Sequence, residues 1–338
     1  MKFKDVSVLS IAHLDAPHRI TSAAIEDQIG ETMARLGVRP GLLEQLSGIV
    51  ARRWWDEGVQ PSQVAASAGE LAIARAGIDR SRIGLVVSTS VCRDYIEPSV
   101  ACLVHGNLGL APTCLNFDIG NACLAFITGM NMAAAMIERH DIDYALVVDG
   151  EGSRFVASKT IERLRDPACD QEMFRDSFAT LTLGSGAAAM VLGRADAHPE
   201  GHRYLGGVSL AASEHNRLCL GQVDSMRTDT KKLLVAGLGL AKATWEKARL
   251  EMGWHPEALD ELVLHQVSKV HTEQLCGLLG LPMEKALKIY PEFGNIGPAS
   301  VPIALSKAVE AGRVSSGARV ALMGIGSGLN VAMSEIVW

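Results

Sequence analysis

Aromatic side chains are scarce in this chain: Phe, Trp and Tyr make up 5% of its 338 residues. A large core must therefore be filled by aliphatic and small side chains packed closely. A basic excess is missing as well, with 32 Lys and Arg against 38 Asp and Glu, which argues against nucleic acid as the main partner. No CxxC occurs. The seven cysteines, at 92, 102, 114, 123, 169, 219 and 276, are odd in number and irregularly spaced, so neither a disulfide framework nor a zinc ribbon is expected, and no metal site. Long apolar runs are also lacking. The most apolar helical stretch, Ala122 to Ile137, is broken by Thr128 and Asn131 and falls short of a bilayer span. The N-terminal run is too short for a signal peptide, so the expected location is a reducing cytoplasm.

What is present points to an α/β enzyme. Apolar residues make up 48% and charged residues 21%, enough for a large core and against disorder or a coiled coil. Length alone allows two domains of roughly 150 residues. Short Val/Ile/Leu runs at Val6–Ala12, Ile83–Thr89, Leu115–Asp118 and Tyr144–Val148 read as buried strands. Helical patterns lie between and around them at Pro61–Ala76, Pro98–Leu108 and Cys123–His140, with Pro61 suiting a first turn and Gly77 a stop. The second half repeats this grammar, with strands at Leu262–His265 and Ala318–Ile325 and helices at Lys269–Leu279 and Pro298–Ala311. Alternation of this kind predicts sheets covered by helices.

The halves also match directly. Gly120-Asn121 and Gly150 have counterparts in Gly294-Asn295 and Gly324, each 174 residues further on. Leu108-Gly-Leu-Ala-Pro112 echoes Leu279-Gly-Leu-Pro282. Several matches in order predict a duplication, with halves 1–170 and 171–338. Glu151–Phe178 and His198–Glu246 fall outside the matched cores and read as insertions around a site.

Three residues could carry chemistry. Cys123 stands between a strand and the start of a long helix, where exposed N–H groups and the dipole favour a thiolate and hence an acyl-accepting nucleophile. A buried structural cysteine is the alternative, and it is the reading given to the other six. His265 ends a buried strand and can face a cleft or bond a backbone carbonyl. Asn295 lies in a Gly-rich turn before a helix, where it could equally be an ordinary cap. Singly, none is specific.

Together, Cys at a helix start, His265-Gln after a strand and Gly294-Asn thirty residues later resemble the thiolase-superfamily condensing enzymes, especially ketoacyl-ACP synthase III. Ser47–Arg53 is similar to that family's N-terminal segment, Leu183–Ala189 to its glycine turn entering a strand, and Gly324–Gly328 to its C-terminal active-site loop. No GxGxxG sits between a first strand and helix, so a dinucleotide fold is rejected. The resemblance implies a thiolase fold, two βαβ-type halves layered α-β-α-β-α, and a homodimer. It implies that Cys123 carries the acyl group. It further implies that His265 and Asn295 donate to the enolate oxygen of the second substrate, and that N–H groups of Cys123 and the Gly326-Ser327-Gly328 loop hold the oxyanion.

Two departures refine this. Glu97, in Asp94-Tyr-Ile-Glu-Pro-Ser-Val-Ala-Cys102, stands where ketoacyl-ACP synthase III carries an apolar residue on a loop that reaches the partner's site. Decarboxylating enzymes need no base there; an ordinary acyl thioester must lose an α-proton to one. After His265 the Arg used for carrier protein is replaced by Val270, although Lys269 is adjacent. The pattern is most similar to the acyl-CoA condensing enzymes of bacterial long-chain olefin biosynthesis. That implies non-decarboxylative Claisen condensation of two long-chain fatty acyl-CoA molecules to a 2-alkyl-3-oxo fatty acid, with no cofactor and with downstream olefin-pathway enzymes as possible partners. Arg52, Arg53 and Trp54 could meet coenzyme A phosphates and adenine, with Lys231, Lys232 and Lys269 as further cations. The rival readings are a malonyl-using ketoacyl-ACP synthase III and a non-catalytic subunit. A biosynthetic thiolase would need a second cysteine in Gly324–Gly328, which has none.

Overall fold

In the computed structural model, which describes residues 1–338, nine strands hydrogen-bond in one continuous order. That order is Glu261–Leu264, Arg319–Gly326, Asn330–Val337, His202–Ala211, Val6–Asp15, Gly186–Arg194, Tyr144–Glu151, Ile83–Ser88 and Leu115–Asp118. The duplication is visible in how they pair. In the first half Val6–Asp15 lies antiparallel to Gly186–Arg194, which lies antiparallel to Tyr144–Glu151, and Ile83–Ser88 follows in parallel. In the second half His202–Ala211, Asn330–Val337, Arg319–Gly326 and Glu261–Leu264 repeat that sequence of pairings. The halves join where Ser7 faces Arg203 and Val8 faces His202.

Alternation along the strands sorts side chains into layers. In Gly186–Arg194, Ala188, Met190 and Leu192 face one apolar cluster, while Ala187, Ala189 and Val191 face another. The first cluster also holds Phe126, Ile127 and Met130 of the helix Ala125–Glu138 and Ile303 and Leu305 of the helix Ser300–Glu310, the two helices sandwiched at the centre. Outside them, Pro61–Ala76 and Val100–Leu108 cover the first half, and Thr230–Met252 and Lys269–Leu279 cover the second. The result is the α-β-α-β-α layering of a thiolase fold. Small residues make the central contact possible: a Cβ on Gly129 would stand 2.7 Å from Thr89 Cγ2.

The topology revises two sequence expectations. Gly186–Arg194 pairs wholly within the first half, so the crossover between halves falls at 195–201 rather than near 170. The segment His198–Glu246 is only partly an insertion. His202–Ala211 occupies the place of Val6–Asp15, and Thr230–Met252 that of Pro61–Ala76; the short hairpin of Cys219–Gly221 and Met226–Thr228 is the true addition.

Candidate active site

Cys123 sits in a single 3-10 turn, Ala122–Leu124, that leads into the buried helix Ala125–Glu138. Ala122 adopts a left-handed φ of 46°, a conformation that turns the chain sharply before the cysteine. This turn packs against the turn Gly297–Ala299, just beyond Asn295, and against the strand Arg319–Gly326. The C-terminal loop closes on it directly: a Cβ on Gly326 would stand 2.7 Å from Asn121 O and 3.2 Å from Leu124 N. Asn330 Nδ2 donates to Asn121 Oδ1 (3.0 Å), tying the far side of the same loop to the cysteine turn. Gly326 therefore lies against the turn that carries Cys123.

His265 follows the last residue of Glu261–Leu264, and its backbone N–H donates to Met323 O (2.8 Å). The side chain is 3% exposed and its Nδ1 has no protein partner. Burial, helped by neighbouring His271, pushes its pKa down to about 3, so at neutral pH it is a neutral imidazole with one N–H to give. Asn295 is oriented by its own turn. Its Oδ1 accepts from Gly297 N–H (3.0 Å), which leaves the Nδ2 amide as the available donor. The turn is fixed in turn by Asn295 N–H donating to Thr182 O (3.0 Å) and Gly184 N–H donating to Asn295 O (2.8 Å). Gln266 N–H donates to Ser300 Oγ (3.2 Å), holding the histidine strand beside the helix that Asn295 precedes.

The expected low thiol pKa is not found. Burial pushes the Cys123 thiol up to about 12, and the Cys219 thiol and the carboxylates of Glu151 and Asp149 push in the same direction. One helical terminus cannot offset a dry setting with acidic neighbours.

Comparison with known proteins fixes the family. Residues 117–210 match the description 3-oxoacyl-[acyl-carrier-protein] synthase III, and residues 250–338 match its C-terminal part. An acyl-CoA:acyl-CoA alkyltransferase of Xanthomonas campestris pv. campestris is 50% identical across the whole of both chains. One of Shewanella oneidensis is 37% identical, again across the whole of both. The structure of cerulenin-bound Xanthomonas campestris OleA superposes with a TM-score of 0.99 at 50% identity, covering 100% of this chain and 98% of that one. The chain belongs to the OleA family of acyl-CoA:acyl-CoA alkyltransferases. Other structures of the Xanthomonas OleA carry lauric acid and lauroyl-CoA, or replace a cysteine, a histidine or a glutamate; the replaced residues stand at one constant offset from Cys123, His265 and Glu97.

Cys123 and Asn295 are half-buried and His265 is buried, whereas Glu97 is exposed. It lies on the exposed loop 91–99, between Ile96, which is 91% exposed, and Pro98, to which it is joined by a cis peptide bond. Val91, Tyr95, Leu115 and Phe117 expose further apolar surface on this loop and the adjoining edge strand Leu115–Asp118.

The coenzyme A candidates divide. Arg52 is 0% exposed and donates to Ser22 Oγ (3.2 Å) and Ile20 O (3.3 Å), with burial lowering its pKa to about 10, so it cannot meet a phosphate. Trp54 is likewise buried, in the cluster formed with Ile25 and Ile161. The strand Ala51–Trp54 pairs with His18–Thr21, and alternation turns both side chains inward. Arg53 points the other way, with its guanidinium 5.3 Å from the centre of the Phe293 ring. Lys231, Lys232 and Lys269 are exposed, Lys232 beside Asp229 (2.9 Å) and Lys269 beside Glu273 (4.0 Å).

Sequence reasoning missed two buried carboxylates. Asp149 and Glu151 end the strand Tyr144–Glu151, two residues apart and therefore on one face. Two acids closing an otherwise apolar strand were the available signal. Cys219, one of the six cysteines read as structural, is contributed by the added hairpin; its sulfur accepts from Thr228 Oγ1 (3.4 Å).

Proposed function

We propose that this protein joins two fatty acyl-CoA molecules head to head by a non-decarboxylative Claisen condensation. The observation that carries the reading is Glu97: a carboxylate on an exposed loop, beside the exposed apolar side chains of Tyr95 and Ile96. Leu115–Asp118 is an uncovered sheet edge with apolar side chains outward, the kind of surface that a second copy covers. In such a homodimer Glu97 serves the partner's site.

The Cys123 sulfur attacks the thioester carbonyl of the first acyl-CoA. A C–S bond forms, and coenzyme A departs with the proton that the cysteine gives up. N–H groups of Cys123 and of the Gly326–Gly328 loop hold the oxyanion on the way. A second acyl-CoA then loses an α-proton to Glu97, and its enolate oxygen accepts from the neutral His265 and from Asn295 Nδ2. The enolate carbon attacks the acyl-cysteine, a C–C bond forms, and the Cys123 sulfur leaves and recovers a proton. Hydrolysis of the remaining thioester yields the 2-alkyl-3-oxo fatty acid. A small, mostly apolar cavity beside His265 is lined by Leu238, Ala241, Met323 and Ile325. Arg53 and the exposed lysines are the cations left for coenzyme A.

The scheme draws on no resident metal or cofactor, since the thioesters supply both electrophile and activated leaving group. No helix is long and apolar enough to cross a membrane, and the reading places the enzyme in the cytoplasm, handing its product to downstream olefin-pathway enzymes. Purified Cys123→Ala should release no coenzyme A from acyl-CoA. Glu97→Ala should give one burst of coenzyme A per site and no branched β-keto product. Normal condensation of acyl-CoA by Glu97→Ala would mean that another base takes the α-proton.

A further inference from the structure

The loop that carries Glu97 is held by three carboxylates, and one of them is out of place. Asp94 accepts from Ser62 N–H (3.0 Å) and from the Ser62 hydroxyl in mid-loop. Asp118 accepts from Val100 and Ala101 N–H (3.1 and 2.8 Å) where the loop enters its helix. Both are ordinary half-exposed anchors. Glu151 holds the root of the loop, accepting from Val91 N–H (2.6 Å) and Cys92 N–H (3.4 Å), yet it is only 5% exposed and pairs with no cation. Beside it Asp149 is wholly buried. Its Oδ2 accepts from Thr89 Oγ1 (2.6 Å), and its Oδ1 has no partner. Burial pushes both pKa values up, that of Glu151 to about 7.

An uncompensated carboxylate in a core is costly, and an apolar or amide side chain would fill the same volume with less penalty. What such a replacement could not do is accept from two successive backbone N–H groups. An amide has one accepting oxygen, and its NH2 would oppose the second donor. The backbone of Glu151 is itself rigidly placed, with Trp55 Nε1 donating to its carbonyl (2.9 Å). Its carboxyl carbon also lies 3.7 Å from where a Cβ on Gly297 would be, so the same group abuts the turn that orients Asn295.

We propose that Glu151 is a positioning residue for proton abstraction: its core carboxylate fixes the backbone at Val91 and Cys92 and so sets where Glu97 stands in the partner's site. This rests on the reading of Glu97 as the trans-acting base. Its distinguishing consequence is that the loss of condensation on changing Glu151 falls at the other subunit's cysteine.

The test is complementation in mixed dimers, read by condensation of acyl-CoA. Glu151→Gln homodimers should keep a full acylation burst on Cys123 while condensation turnover falls roughly tenfold to a hundredfold, as expected for a misplaced reacting group. A Glu151→Gln subunit paired with Cys123→Ala should recover about half of wild-type activity, because the one intact cysteine is served by an intact loop. A Glu151→Gln subunit paired with Glu97→Gln should recover none, since both sites then meet a damaged loop. Val91→Pro, which deletes the N–H donor at an exposed position, should show the same pattern and covers the case in which Glu151→Gln does not fold. The control pairs Cys123→Ala with Glu97→Gln. If that control recovers activity while the Glu151→Gln and Cys123→Ala pair does not, Glu151 acts in its own subunit's site and the inference is overturned alone. If the control itself recovers nothing, the trans reading of Glu97 falls, and this inference with it.

Discussion

At the scale of single residues, the sequence singled out three groups for the site but not their protonation. Cys123, His265 and Asn295 could be picked out because a helix start, a strand end and a Gly-Asn turn recur in a recognisable order. The thiol's pKa depends instead on what surrounds it in space, and Glu151, Asp149 and Cys219 come from segments far along the chain. The same blindness applies to Arg52 and Trp54, whose charge and indole suggested a nucleotide contact until strand pairing turned them inward. With its pKa raised to about 12, Cys123 holds roughly one thiolate in 100,000 thiols at pH 7. Alkylation of Cys123 by iodoacetamide, followed by peptide mapping, should therefore rise about tenfold per pH unit from 7 to 9. A rise that slackens through pH 9 and levels off by about pH 10 would show a thiol of ordinary acidity.

At the scale of elements, the sequence located most of what lies near the site. Pro61–Ala76 and Lys269–Leu279 are helices over the full spans expected, and Leu115–Asp118 is a strand over its full span. The second-half strands His202–Ala211 and Asn330–Val337 were passed over. The first begins with His, Arg and Tyr and contains a Gly pair, and the second places Ser334 and Glu335 in mid-strand, so neither shows a clean apolar run. Glu335 is buried there because Arg319 and Trp254 Nε1 both donate to it, each at 2.7 Å. The glycine turn before Gly186–Arg194 illustrates how an element far from the cysteine sets the site. A Cβ on Gly184 would lie 1.9 Å from Phe293 O, immediately before the Asn295 turn. Gly184→Ala should thus lower stability by about 1–3 kcal/mol and also cut condensation, by displacing Asn295. Chemical denaturation and product formation measured on the same preparation check this. An unchanged midpoint with unchanged turnover would mean that the turn yields freely.

At the scale of the whole molecule, duplication explains why chemistry from distant parts of the chain converges. Each half contributes a helix to the central layer, and the turns that lead into those two helices, Ala122–Leu124 with Cys123 and Gly297–Ala299 just beyond Asn295, pack together. Burying His265 in that shared core has a thermodynamic consequence. Its folded pKa of about 3 lies below the usual histidine value, so as pH falls below about 6.5 the unfolded chain gains a proton that the native state refuses. Relative to His265→Asn, the wild-type protein should lose up to about 1.4 kcal/mol of stability per pH unit between pH 6 and 4. Parallel slopes for the two proteins would mean that the imidazole titrates normally.

The most direct measurement is turnover of purified protein given one long-chain acyl-CoA and no malonyl thioester, with coenzyme A release followed and products identified by mass spectrometry. Head-to-head condensation predicts continued release, with a 2-alkyl-3-oxo acid, or the ketone formed by its loss of CO2, as product. A burst of one coenzyme A per Cys123 that resumes only when malonyl-ACP is added would contradict it.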